Sequence, residues 1–167
     1  PSVPWFWGML HFDDGSYLDW FMPHITPLST AKDDKPWRKR DTTRVPLKEA
    51  GIFHDRVRGE THECDHCKVE LAKSSEGLVD GEGHLLPDFR VRMWNDTTRV
   101  DLRISAYSRA RWTFDQPTRG GMVSHLTYNE YPFEVTSISI HDEMGERTES
   151  DYEWMHGNAE HSWGFLH

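Results

Sequence analysis

The chain has 167 residues and a formal net charge of −9, from 19 Lys and Arg against 28 Asp and Glu. This length fits one domain with a sizeable core, and the acidic balance argues against nucleic acid or an anionic membrane as a main partner. No apolar run is long enough to span a bilayer, and two cysteines offer no disulfide framework, which favours a reducing compartment such as the cytoplasm.

Residues 5–22 predict a β-hairpin that closes at the D-D-G sequence of residues 13–15, where the glycine can take the positive φ of a three-residue loop. The register that follows pairs His11 with Tyr17, Met9 with Asp19, and Trp7 with Phe21. Since side chains alternate along strands, one face then carries Trp5, Trp7, Met9, His11, Tyr17, Asp19 and Phe21.

This face combines an acid and an imidazole with indole and phenol rings. We predict that it lines a cavity for an elongated apolar ligand, contacted by Trp5, Trp7, Met9 and Phe21. A carboxylate among aromatic rings is costly unless it is paired or protonated. Two interpretations of Asp19 stay open: a partly solvated carboxylate at a barrel mouth, or a proton donor in an apolar pocket.

Residues 24–50 form a polar, proline-containing segment with the charged run KDDKPWRKRD at 32–41. This segment is too long for an ordinary connection, so we predict a lid or an insertion. Its basic cluster is either a solvated loop or a grip on an acidic group of a ligand.

Residues 51–71 predict one or two strands, on which His62, Cys64 and His66 alternate and would share a face. Cys64 and Cys67 are three positions apart, so on one strand they point to opposite faces and cannot both bind one ion without a bend. We therefore predict two free thiols and no metal site.

Short strands separated by Gly, Asp and Asn turns continue to the end of the chain, and no long stretch shows a period of 3.6 residues. This pattern predicts an antiparallel barrel or sandwich with less than roughly a fifth helix. The predicted strands are 87–94, 99–106, 111–114, 122–131, 133–141, 148–155 and 157–165.

Four segments in a fixed order resemble a known family. They are W-x-W followed by FDDG at 5–15, LPDFRV at 86–91, TYNEYPFEV at 127–135 and GNAEHSWG at 157–164. They resemble the C-terminal lipocalin-like half of the AttH and carotenoid 1,2-hydratase (hydroxyneurosporene synthase) family. Departures include Leu86 where the family has Tyr, and Asn129 where it has Trp before the glutamate.

The resemblance implies a lipocalin-like (calycin) β-barrel spanning residues 1–167. It also implies a terpenoid, prenyl or polyketide-like ligand and chemistry such as hydration, isomerisation or cyclisation. Family members usually have two such halves, and their His-x-Trp motif would fall upstream of Pro1. We therefore expect upstream sequence, and the partner is either a missing N-terminal half or a second copy of the chain.

Protonating an alkene needs a strong acid and a stabilised carbocation. A carboxylic acid in an apolar pocket can supply the proton, and aromatic faces stabilise a cation. Asp19 together with Trp5, Trp7 and Tyr17 would supply both the acid and the aromatic faces. His11 could position water or take the proton back. Further candidates are Glu130 and Glu160 as acids, with Tyr128 and Trp163 as ligand contacts.

The residues of the later motifs could also have purely structural roles. A structural hydrogen bond at a barrel corner could involve Tyr128 and Glu130, and a solvent-exposed strand face could carry Glu160 and His161. Nucleophile-elbow, phosphate-loop and zinc-protease motifs are missing from the sequence, so a hydrolase or a nucleotide-dependent enzyme is not favoured. No cofactor is expected. A non-catalytic carrier of a hydrophobic molecule and a structural half-domain stay open as alternatives to the enzyme.

Overall fold

A computed structural model describes residues 3–25, 44–117, 120–121 and 123–166, except for the side chains of 163–166. Regular structure over these residues is β-strand apart from one 3-10 turn at Glu149–Asp151, which confirms the all-β prediction. The strands are β1 (Trp5–Phe12), β2 (Tyr17–Ile25), β3 (Val45–Pro46), β4 (Ala50–Asp55), β5 (Glu60–Cys64), β6 (His66–Lys73), β7 (Pro87–Trp94), β8 (Arg99–Ala106), β9 (Ala110–Pro117), β10 (Val123–Asp142), β11 (Gly145–Thr148) and β12 (Met155–Leu166).

Nine of these strands form one antiparallel sheet in the order β5-β4-β2-β1-β12-β10-β8-β7-β6. The sheet curls into a nearly closed barrel of the lipocalin-like kind, as predicted. The two end strands β5 and β6 are joined through Asp65. Side chains help to hold the seam where β6 and β7 approach β4 and β5. The Cys67 N–H on β6 donates to Glu49, just before β4, at 3.1 Å, and the Asn95 amide, just after β7, donates to the Glu63 carbonyl on β5 at 2.6 Å.

The first hairpin has the predicted register, with His11 opposite Tyr17, Met9 opposite Asp19 and Trp7 opposite Phe21. Gly15 has a φ of 84°, a value that suits glycine because it has no Cβ. Asp14 accepts the Ser16 N–H at 2.8 Å, which is the local side-chain bond expected in such turns.

The barrel interior is filled by one apolar core to which most strands contribute. In the first hairpin, the buried face is the one opposite the tryptophan-rich face. Its fully buried large side chains include Phe6, Leu10, Phe12, Leu18 and Trp20. Gly8 lies on the same face, and a Cβ there would overlap the Trp20 indole, so the smallest residue makes room for the largest.

β10 is one continuous strand of 20 residues, whereas the sequence predicted two strands at 122–131 and 133–141. Its first half pairs with β9, its second half pairs with β8 and β11, and β12 pairs with it through Phe133. Pro132 is tolerated because it lies opposite the break between β8 and β9, where its carbonyl accepts the Tyr107 N–H at 3.2 Å.

Two other predicted boundaries differ from the structure. The predicted strand 148–155 is wrong, because β11 ends at Thr148 and a 3-10 turn follows. In that turn the Thr148 N–H donates to Asp151 at 2.7 Å. Of the predicted insertion 24–50, β2 takes the first residues and β3 pairs with its end at His24 and Ile25, while residues 26–43 with the basic cluster lie outside the described residues.

A buried ion cluster joins β4, β10 and β11. Arg147 donates to Asp55 at 2.6 Å and to Asp142 at 2.5 Å, while Arg58 donates to Asp142 at 2.9 Å. Both aspartate side chains are almost fully buried, and the Arg147 guanidinium lies 4.7 Å from the centre of the Phe53 ring. This cluster therefore ties the β4–β5 turn to the β10–β11 hairpin.

Candidate functional site

The tryptophan-rich face of the first hairpin lies on the outer side of the sheet, opposite the core. Its side chains are half-buried or exposed rather than enclosed, with Phe21 37% exposed. The face that we predicted to line a cavity is therefore an open surface. β12 and β10 extend it, because Trp7 lies opposite Glu160 and Glu160 lies opposite Glu130. We call this surface the aromatic–carboxyl face and describe it by its two acidic centres.

Asp19 forms the first centre. Its half-buried carboxyl accepts a hydrogen bond from the Trp7 side chain, and its strand neighbours are Met9 on β1 and Ile52 on β4. Burial raises the pKa of Asp19, and the hydrogen bond from Trp7 opposes that change without cancelling it. Asp19 therefore holds its proton to a higher pH than an ordinary aspartic acid.

Glu160 forms the second centre. The Trp5 indole N–H donates to its Oε2 at 3.1 Å, and the Tyr128 hydroxyl donates to its Oε1. Burial raises the pKa of Tyr128 well above its ordinary value, and the hydrogen bond and charge of Glu160 and then of Glu130 add to this. Tyr128 therefore stays protonated as a donor between two carboxyl groups.

Aromatic rings line the second centre. Trp5 meets Tyr128 edge-on at 5.9 Å between ring centroids, and Trp112 on β9 stacks on Tyr128 at 4.6 Å. Sequence reasoning missed Trp112, since only the pairing of β9 with β10, which places Trp112 opposite Tyr128, brings it here. Alternation within the predicted strand 111–114 was the available signal, but it does not identify the neighbouring strand.

The two centres are separate. Asp19 lies on β2 and Glu160 on β12 with β1 between them, two residues apart along the strands, because Asp19 is opposite Met9 and Glu160 is opposite Trp7. Strand spacing and rise give roughly 12 Å between their Cα atoms. Trp7 fills the interval, so an elongated molecule lying across Trp7 would reach both carboxyl groups.

The structure brings most of the predicted residues onto this one face. Around the two centres are Trp5, Trp7, Met9, Asp19, Phe21, Tyr128, Glu130 and Glu160. His11 and Tyr17 lie two residues nearer the turn than Met9 and Asp19. Their rings are 6.4 Å apart, and Tyr17 stacks on His54 at 5.2 Å. The predicted contact Trp163 has a side chain outside the described residues.

His161 does not lie on a solvent-exposed strand face. It is 1% exposed and stacks on Phe6 at 4.2 Å. His24 stacks on the same ring at 5.0 Å, and the Arg44 guanidinium lies 5.0 Å from its centre. Burial first, and the Arg44 charge in addition, lower the pKa of both histidines, to about 4 for His24. Both are therefore neutral near pH 7.

The two cysteines are buried free thiols on different strands, Cys64 at the end of β5 and Cys67 on β6. Asp65 separates the two strands, so His62, Cys64 and His66 do not share one strand face as predicted. Burial raises the pKa of Cys64 to about 11 and that of Cys67 to about 12, which keeps both as unreactive thiols.

Among the described residues, one group has the spacing of metal ligands: Asp80, Glu82 and His84 in the turn before β7. Arg109 lies 2.7 Å from Asp80 and 3.3 Å from Glu82. The arginine therefore already balances the charge that a metal ion would neutralise. None of the helical structure in the described part of the chain has the length and hydropathy of a membrane span.

No protein-family model, curated protein or solved structure matches this chain. The resemblance to the AttH and carotenoid 1,2-hydratase family is carried by the four short motifs and stays a prediction. The candidate site accordingly depends on the geometry of the aromatic–carboxyl face.

Proposed function

We propose that the chain is the barrel of an enzyme that acts by acid catalysis on an apolar alkene of the terpenoid, prenyl or polyketide class. One observation carries the proposal: burial raises the pKa of Asp19, and Asp19 shares an open aromatic face with the Tyr128–Glu160 pair. An acid and a proton acceptor on one apolar surface are what hydration or isomerisation of an alkene requires.

The reaction begins with Asp19. Its carboxylic O–H gives a proton to one alkene carbon, and the π electrons form the new C–H bond, which leaves a carbocation on the neighbouring carbon. The faces of Trp7 and Trp5 stabilise that cation through their quadrupoles. Asp19 is left as a carboxylate and regains its proton from solvent.

Glu160 completes the reaction. When water adds to the cation, the carboxylate takes the surplus proton of the new C–OH2 group, and hydration results. When the carboxylate instead takes a proton from the carbon next to the cation, the double bond re-forms at a new position. In either case Glu160 then releases its proton to solvent, which balances the proton that Asp19 regains. Tyr128 holds Glu160 by its hydrogen bond, and Glu130 lies opposite Glu160 on β10.

Asp19→Asn is expected to lower the rate of alkene protonation about 100- to 10,000-fold, because Asn keeps the shape but cannot deliver a proton. The measurement is deuterium incorporation from D2O into candidate prenyl and polyene substrates, followed by mass spectrometry. Glu134→Gln, at an exposed position of β10, is the matched control and keeps full activity. Deuterium incorporation by the Asn variant at the rate of the unmodified protein would refute the assignment.

A carrier of small hydrophobic molecules is the second candidate, and a groove at the barrel seam favours it. The groove has a volume of about 640 Å³, within the range of small-molecule sites. It lies between β2, β3 and β6. Its lining combines apolar side chains, including Met22, Val69, Leu71 and Trp94, with the charged side chains of Arg44, Glu49, Lys68 and Glu70.

Tryptophan fluorescence distinguishes a ligand on the aromatic–carboxyl face from a ligand in the seam groove. Titration with an apolar polyene is expected to quench emission through Trp5 and Trp7, so Trp5→Phe reduces the quenching and Trp94→Phe leaves it unchanged. The reverse result would place the ligand in the seam groove and support the carrier. A structural half-domain would show no quenching in any variant.

A further inference from the structure

Among the described residues, β9 is the outermost strand on its side of β10. β9 pairs along one edge with β10, and no described strand pairs with its other edge. All eight of its residues are exposed, with Trp112 51% and Phe114 38% exposed. An edge strand of this length presents unpaired backbone N–H and C=O groups to any strand that lies beside it.

The sequence of β9, ARWTFDQP, is complementary to itself when two copies run antiparallel about Thr113. In that register Arg111 lies opposite Asp115 of the second copy, and Trp112 lies opposite its Phe114. The two-fold axis makes each pairing occur twice. Opposite charges and aromatic side chains facing one another across strands are both stabilising, and shifting the register by two residues removes the match of charges.

We propose that two copies of this chain associate through β9 into a two-fold symmetric dimer whose sheet continues from one barrel to the other. An isologous contact of this kind closes on itself and pairs the outer edges of the two β9 strands. The same pairing brings Phe114 of the second copy beside Trp112, which stacks on Tyr128. The dimer therefore extends the aromatic side of the candidate site, although its formation does not depend on the proposed reaction.

In each copy, the two charged residues that set the register also contact side chains of their own barrel. Asp115 contacts the His125 imidazole at 2.7 Å, and Arg111 lies 3.8 Å from Glu82. The side chain of Asp115 is 61% exposed and that of Arg111 is 28% exposed, so Asp115 offers most of the open surface that an arginine of the second copy would contact. β9 is not one of the nine strands of the barrel, so the barrel of each copy does not depend on this contact.

Sedimentation velocity from about 1 to about 100 µM is the first test, since strand-edge dimers of modest area fall in this affinity range. Arg111→Asp places like charges opposite each other twice and is expected to raise the dissociation constant about tenfold or more. Asp115→Arg has the same effect, and the double variant R111D/D115R restores the opposite charges and the dimer. Arg103→Asp, an equal charge change at an exposed position of β8, leaves the dissociation constant unchanged.

Cross-linking tests the register separately. Thr113→Cys is expected to form a disulfide between copies under mild oxidation, because the axis passes beside residue 113. Arg111→Cys is the control, since the two 111 positions would be roughly 13 Å apart along the strands. The buried Cys64 and Cys67 do not compete. A monomer at every concentration, or equal cross-linking at positions 111 and 113, would overturn the proposal and leave β9 to a different partner.

Discussion

Arg147→Met is expected to lower the free energy of unfolding by about 3 to 5 kcal/mol near neutral pH, because it leaves two buried carboxylates with one fewer cation. Asp55 and Asp142 both accept hydrogen bonds from Arg147 and are almost fully buried. The remaining partner, Arg58, is 29% exposed and would have to balance both charges. Chemical denaturation at pH 7 measures the loss, and Arg103→Met at an exposed site is the control.

The same cluster also makes the stability of the unmodified protein fall at acid pH. Burial alone would raise the pKa of Asp55 and of Asp142, but hydrogen bonds from backbone N–H groups and the charges of Arg147 and Arg58 outweigh burial and lower both. A carboxyl group with a depressed folded pKa stabilises the fold above its unfolded pKa of about 3.9, and this stability is lost as pH falls through the folded pKa.

The loss caused by Arg147→Met should therefore depend on pH, and melting temperatures can measure this. In Arg147→Met the buried carboxyl groups gain from protonation, so the gap in melting temperature between this variant and the unmodified protein is expected to narrow as pH falls from 7 to about 4. A gap that stays constant over that range would show that Arg147 stabilises by packing on Phe53 and not through its charge.

Local pattern in the sequence was enough to predict the fold class and the register of the first hairpin. The D-D-G turn set the pairing, and strict alternation from Trp5 to Phe12 set which residues share a face. The same pattern was insufficient to say which face is buried, because both faces are apolar. Gly8 was the decisive residue: its missing side chain leaves room for Trp20 on the core side.

Contacts between distant strands explain what the sequence did not show. Trp112 reaches Tyr128 only because β9 continues along β10 beyond the end of β8. Likewise Asp55 and Asp142 are 87 positions apart and meet only through Arg147. Neither pairing leaves a periodic signal within its own segment, whereas Tyr128, Glu130 and Glu160 could be singled out because each lies in a recognisable motif.

Gly8→Ala is expected to destabilise the protein by about 1 to 3 kcal/mol, and Gly8→Val by more, because any Cβ at this position overlaps the Trp20 indole in a filled core. The indole has little freedom to move, since Trp20 is 1% exposed and packs near Phe133 with 6.4 Å between ring centroids. Gly81→Ala is the matched control: nothing lies within 4 Å of its Cβ position, so its unfolding free energy changes by no more than about 0.5 kcal/mol.

A second substitution tests whether Trp20 is the cause of the loss. Trp20→Phe alone removes core volume and is expected to destabilise, but it also frees the space that a methyl group at residue 8 needs. The double variant G8A/W20F should therefore be more stable than the sum of the two single losses predicts, with a coupling of about 0.5 to 3 kcal/mol. Urea denaturation of the four proteins gives this coupling directly. Additive losses would mean that Gly8 is required by the backbone of β1 and not by the indole that covers it.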